Sequence, residues 1–173
     1  MLCFLVGYCN TVKAQRPERE PVSLFTSLAG AVSYSGLNAY FNLGLAYKKH
    51  RIYVGPKMVL TKSYIPGRTL WGVNAGYFFS LMQQNRWNTS LNLDYQNTIY
   101  KTAPANPSNN LQEITGGLNA NYFAIPQKMS IGLTMGAGMR MESAYNTYTM
   151  TKKNFSGSMF QVRLGVVYKL SRR

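Results

Sequence analysis

Six charged residues fall on the polar side of alternating segments of this chain: Lys57, Asp94, Glu113, Arg140, Glu142 and Arg163. Acids and bases gathered on one narrow face support two kinds of chemistry. They neutralise one another as hydrogen-bonded ion pairs, or they carry protons or ions along a path. An ion-pair network is the expectation, because an unpaired charge taken out of water is strongly destabilising.

Other chemistry is thinly represented. His50 is the sole histidine, and a general base needs its nucleophile within hydrogen-bond reach. Ser90 and Ser130 belong to the same end of the predicted strands, but no acid is fixed beside them, so no catalytic residue is assigned. A single histidine and scattered carboxylates give no metal-ligand spacing, so neither a metal nor another cofactor is expected. Gly116-Gly117 and Gly136-Ala137-Gly138 precede no helix, which separates them from phosphate loops. They suit strands that must curve and leave room beside one another.

The elements that carry these residues have a period of two. From Met129 to Glu142, Met129, Ile131, Leu133, Met135, Ala137, Met139 and Met141 alternate with Ser130, Gly132, Thr134, Gly136, Gly138, Arg140 and Glu142. A soluble sheet would turn the bulky residues to a core and cover its other face with charge. Here the second face is mostly Gly, Ser, Thr and Asn, which is the pattern of a transmembrane β-barrel with lipid outside and a polar lumen. Eight such segments are predicted, at 22–34, 36–48, 51–62, 69–82, 87–100, 112–125, 128–142 and 157–170. Most exceed the five or six residues usual in soluble strands, and a tilted membrane strand needs about 9 to 11. The predicted fold is all-β, an eight-stranded antiparallel up-and-down barrel. Only the first segment leaves its faces undecided, since Leu24 to Val32 mixes small and apolar residues on both.

Connections alternate in length. Lys49-His50, Gln84-Asn85 and Pro126-Gln127 mark tight turns, whereas Ser63 to Arg68, Lys101 to Leu111 and Ser143 to Ser156 are longer, as periplasmic turns and outer loops are. The Ser33–Gly36 junction is short for an outer loop. Aromatic side chains cluster at strand ends, where amphipathic rings favour headgroup depth. Tyr47, Phe79, Trp87, Tyr122 and Tyr168 form the expected inner girdle, and Tyr34, Trp71 and Phe160 the outer one.

Lysine and arginine number 19 against 5 acidic residues, a net charge of +14. The cations fall chiefly at strand ends and turns, among them Lys48, Lys49, Arg51, Arg86, Lys101, Lys128, Lys152 and Lys153. This spacing suits two rings at membrane surfaces, so outer-membrane lipids and lipopolysaccharide, not nucleic acid, are the expected anionic partners.

Residues 1–15 read as a signal peptide, with an apolar run from Leu2 to Tyr8 and small residues near Ala14. Both cysteines, Cys3 and Cys9, lie within it, leaving the mature chain without a disulfide or a thiolate. Residues 16–21 form a charged, proline-bounded spacer, and 22–173 the barrel domain.

With these segments and the closing strand Phe160 to Leu170, the chain resembles the small eight-stranded outer-membrane barrels of the OmpA and OmpX type. The resemblance covers residues 22–170 as a pattern. It departs at the end, where Ser171, Arg172 and Arg173 follow Leu170 and Tyr168 must supply the terminal aromatic. Lys13-Ala14-Gln15 is similar to the Ala-Gln cleavage sites of Bacteroidota outer-membrane proteins. The resemblance implies insertion by the outer-membrane assembly machinery of a Gram-negative bacterium. It implies no single activity, because function lies in sites grafted onto a fold. A non-enzymatic structural, adhesion or envelope-assembly role, with an envelope protein as possible partner, is the expectation. The alternatives are a lipid A-modifying enzyme and a small-solute pore.

Overall fold

The structure, a computed structural model, describes residues 22–33, 36–61, 70–84, 86–101, 107–126, 128–146 and 148–170. The expected leader (1–15), the spacer (16–21), Tyr34, the connection 63–68 and residues 171–173 lie outside them. Eight strands follow one another: β1 Ser23–Ser33, β2 Gly36–Tyr47, β3 His50–Thr61, β4 Leu70–Gln83, β5 Trp87–Tyr100, β6 Asn109–Ile125, β7 Met129–Asn146 and β8 Thr151–Lys169. Each pairs antiparallel with the next, and β8 closes on β1 from Phe25 opposite Lys169 to Ser33 opposite Gln161. Closure leaves every strand within the wall with two partners. A bilayer requires this, because its core offers no water to an unpaired backbone group.

The alternation decides which side of each strand meets lipid. Leu43, Leu45, Ile52, Val54, Leu91, Leu93, Leu133 and Leu164 are among the large apolar side chains exposed on the outside. Asn42, Asn74, Asn92, Thr98, Asn119 and Thr134 are buried inside. This is the reverse of a soluble core. The undecided β1 resolves with Leu24, Leu28 and Val32 outward and Ser23, Phe25 and Ala31 inward.

At the short junction of β1 and β2, Ser33 pairs with Gly36, which has φ 117°. A Cβ would be strained in that conformation, so glycine suits it. The β2–β3 turn is equally tight, with Tyr47 opposite His50 and Lys48 at φ 52°.

One expected loop is largely a strand pair. Ser143 to Ser156 forms a β-hairpin in which Ser143, Ala144, Tyr145 and Asn146 face Asn154, Lys153, Lys152 and Thr151. Beyond the lipid neither face needs to be apolar, so a paired strand there loses its alternation and resembles a loop in sequence. Likewise β6 begins at Asn109, within the expected connection 101–111.

Candidate functional site: the filled lumen and the projecting hairpin

Side chains from all eight walls fill the lumen in layers. At its outer end Val59, Leu70, Tyr100 and Leu111 make an apolar cluster contributed by β3, β4, β5 and β6. Tyr100 also donates its hydroxyl to Glu142, tying this cluster to the base of the hairpin. Below it, Lys57 on β3 forms a salt bridge with Glu113 on β6, both wholly inaccessible to solvent.

Beside that pair three side chains close a ring of hydrogen bonds. The Tyr40 hydroxyl donates to Gln96 Oε1 at 3.0 Å, Gln96 Nε2 to Gln161 Oε1 at 3.1 Å, and Gln161 Nε2 to the Tyr40 oxygen at 2.9 Å. The ring joins β2, β5 and β8 across the lumen and satisfies polar groups that have no access to water. Arg163 lies next to it, its guanidinium 4.5 Å from the centre of the Tyr40 ring. It bridges to Asp94 at 3.2 Å and donates to the Tyr53 hydroxyl at 2.8 Å.

Toward the inner end the lumen is lined by amides and hydroxyls. Asn119 donates to Thr134 at 2.7 Å, Ser90 donates to Asn119, and Asn88 donates to Ser80 at 3.2 Å. Arg51 also turns in here. It donates to the Ser90 hydroxyl at 3.3 Å and lies 4.9 Å from the centre of the Phe78 ring. Its place beside a tight turn suggests a ring of cations at the membrane surface. Strand parity reverses this: with His50 outward, the next side chain of β3 must point inward.

The six charged residues singled out in the sequence therefore occupy distinct places. Lys57 meets Glu113, Arg163 meets Asp94, and Glu142 meets Tyr100. Arg140 on β7 lies opposite Glu113 on β6 and opposite Gly157 on β8, half-buried. The aromatic contribution to the lumen was not legible as such. Tyr40, Tyr53, Phe25 and Phe78 look like ordinary barrel residues until the register brings them together.

His50 sits on the other side of the wall. Its Nδ1 is 2.6 Å from the Tyr77 hydroxyl, and its ring lies 5.4 Å from that of Phe79. Ser90 and Ser130 are buried in the lumen, so the sheet itself separates them from the imidazole. His50 joins the inner aromatic belt, in which Trp87 and Tyr122 also stack at 5.0 Å. Tyr47 and Tyr168 are exposed at the same end, and Trp71 and Phe160 on the outer half of the wall. Among the described residues no group of three or more His, Cys, Asp and Glu is placed to hold a metal ion.

At the outer end β7 and β8 outrun their neighbours. Pairing of β8 with β1 stops at Gln161, so from Thr151 to Phe160 β8 has β7 on one side and, among the described residues, no strand on the other. This is a sheet edge standing clear of the barrel wall, and Thr151 to Ser156 are all exposed.

An antiparallel, closed, eight-stranded barrel with an apolar exterior and a packed polar lumen is the outer-membrane barrel fold. Comparison with solved structures agrees. The N-terminal β-barrel domain of Pseudomonas aeruginosa OprF is similar over 86% of this chain and 97% of its own, at 11% identity and a TM-score of 0.50. Neisserial surface protein A aligns over 86% and 96% at 16% identity, with a TM-score of 0.43. The outer membrane protease OmpT of Escherichia coli aligns over 86% and 95% at 9% identity, with a TM-score of 0.39. At 11% identity the likeness to the OprF domain is one of fold. No protein-family model and no curated protein matches the sequence.

Proposed function

We propose that this protein is an integral outer-membrane barrel of a Gram-negative bacterium with a non-enzymatic, interaction-based role, as an adhesion or envelope-assembly accessory subunit. The observation that carries this reading is the edge of β8 from Thr151 to Phe160, which pairs with no second strand among the described residues. Unpaired backbone groups on such an edge template the addition of a further strand. Its polar side chains and the cations Lys152 and Lys153 keep it soluble beyond the membrane. The packed lumen argues against the pore reading, since Lys57, Glu113, Tyr40 and Gln96 fill it at mid-height. Separation of His50 from the lumen serines argues against a serine-histidine lipid A-modifying site. Lipids and lipopolysaccharide surround the wall, and insertion by the outer-membrane assembly machinery belongs to the same proposal, as does the relation to OmpA- and OmpX-type barrels.

The test is a mild-detergent pull-down that compares wild type with a shortened hairpin. Replacing residues 144–153 by Asn-Gly joins the paired Ser143 and Asn154 through a two-residue turn that β-hairpins favour. The shortened barrel should still insert and lose specific envelope partners. Retention of the same partners would contradict the reading. So would a change in lipid A mass caused by the wild-type protein, or stepwise conductance in planar bilayers.

A further inference from the structure

Between the Arg163 layer and the inner end, the lumen holds a cavity of about 40 Å³. This is room for about three waters, taking roughly 10–15 Å³ for each. Its wall includes two guanidiniums, Arg51 and Arg163. Arg163 is matched by Asp94. Among the described residues Arg51 meets no acid: its contacts are the neutral Ser90 hydroxyl and the Phe78 ring, and its Nε is buried without a hydrogen-bond partner.

The acidic residues account for this imbalance. The chain has five, and the three in the described residues are engaged elsewhere: Asp94 with Arg163, Glu113 with Lys57 and Glu142 with Tyr100. Two arginines and one aspartate leave the chamber with one positive charge. A guanidinium does not shed its proton in a protein, so an anion entering the chamber meets an uncompensated positive charge.

We propose that this chamber is a binding site for one monovalent anion, chloride or a single carboxylate group, held on Arg51. Size and charge set the class. A cavity of this volume excludes bulky organic anions, and a single excess charge favours a monovalent ion. The planar fork of arginine suits a carboxylate as well as a halide. The carboxylate would be that of a small free acid entering from the inner mouth of the lumen.

The test is chloride-35 line broadening on the full mature barrel in a non-ionic detergent, with gluconate as the background anion. Saturable broadening that acetate competes away, that is lost in Arg51→Gln and that persists in Lys128→Gln supports a free-anion site. Broadening absent from the wild type, or undiminished in Arg51→Gln, overturns the proposal. Should Arg51→Gln fail to fold, crystals of the wild-type barrel grown in bromide decide the matter. An anomalous peak against Arg51 supports the site, and a chamber holding only water rejects it.

Discussion

Lys57 and Glu113 stand 56 residues apart in sequence, on strands β3 and β6, and meet inside the lumen as a salt bridge with no solvent exposure on either side chain. Two polar features lie beside the pair, the Tyr40–Gln96–Gln161 ring and the Arg163–Asp94 bridge. The middle of the barrel is thus held by connections across the lumen as well as by the ladders around its wall.

Removing one partner strands the other. Lys57→Met leaves a buried carboxylate without its cation and should destabilise the barrel by about 3 to 5 kcal/mol. The double variant Lys57→Met/Glu113→Leu removes both charges and should recover most of that loss. Urea titrations of the refolded protein in lipid vesicles read both values. A double variant as unstable as the single one would show that the pair does not act as a unit.

The paired glycines of β6 and β7 give a second contrast. Gly117 lies opposite Gly136, and a Cβ built on it would overlap the backbone of Met135 and Gly136. Its neighbour Gly116 points outward, where a Cβ would meet only the Asn92 carbonyl oxygen at 3.8 Å. Gly117→Ala should therefore cost about 1 to 3 kcal/mol through overpacking, and Gly116→Ala much less. Heat-modifiable migration in detergent gels, followed against temperature, separates the two.

The lipid face is tested by charge. Leu133 and Leu164 are paired and exposed on the outside of β7 and β8. Leu133→Arg should cost roughly 2 to 4 kcal/mol near mid-membrane. Thr134→Ser, one residue along, turns into the lumen and keeps a hydroxyl for Asn119, so it should be tolerated. Equal cost at both positions in a refolding titration would contradict the assigned faces.

How much of this was legible beforehand follows from the same physics. A lipid-facing side chain must be apolar whatever its partner, so the period of two located all eight strands and assigned the faces of seven. β1 escaped because its inward side carries Phe25 and its outward side Thr26 and Gly30, which blurs the contrast. The hairpin above the membrane escaped because paired strands in water need no apolar face. The charged lumen residues were legible by parity, but their pairing was not. Whether Glu113 meets Lys57 across the lumen depends on the stagger of eight strands, which no local pattern encodes. Arg51 was misplaced for a smaller reason, since a residue at the mouth of a tight turn resembles a surface cation until its parity is fixed.

The most direct measurement uses the two tryptophans, the only ones in the chain. Trp71 is 64% exposed and Trp87 51% exposed, both on the outer wall of the barrel, so each should lie among lipid acyl chains near the headgroups. With Trp71→Phe and Trp87→Phe leaving one indole at a time, the protein is reconstituted into vesicles containing lipids brominated at different depths. A lipid-facing barrel predicts strong quenching of both indoles, greatest for bromines near the headgroup end of the chain and weaker toward the bilayer centre. Fluorescence of either tryptophan that bromolipids leave unchanged, while aqueous quenchers reach it freely, would contradict a barrel whose apolar wall spans the membrane.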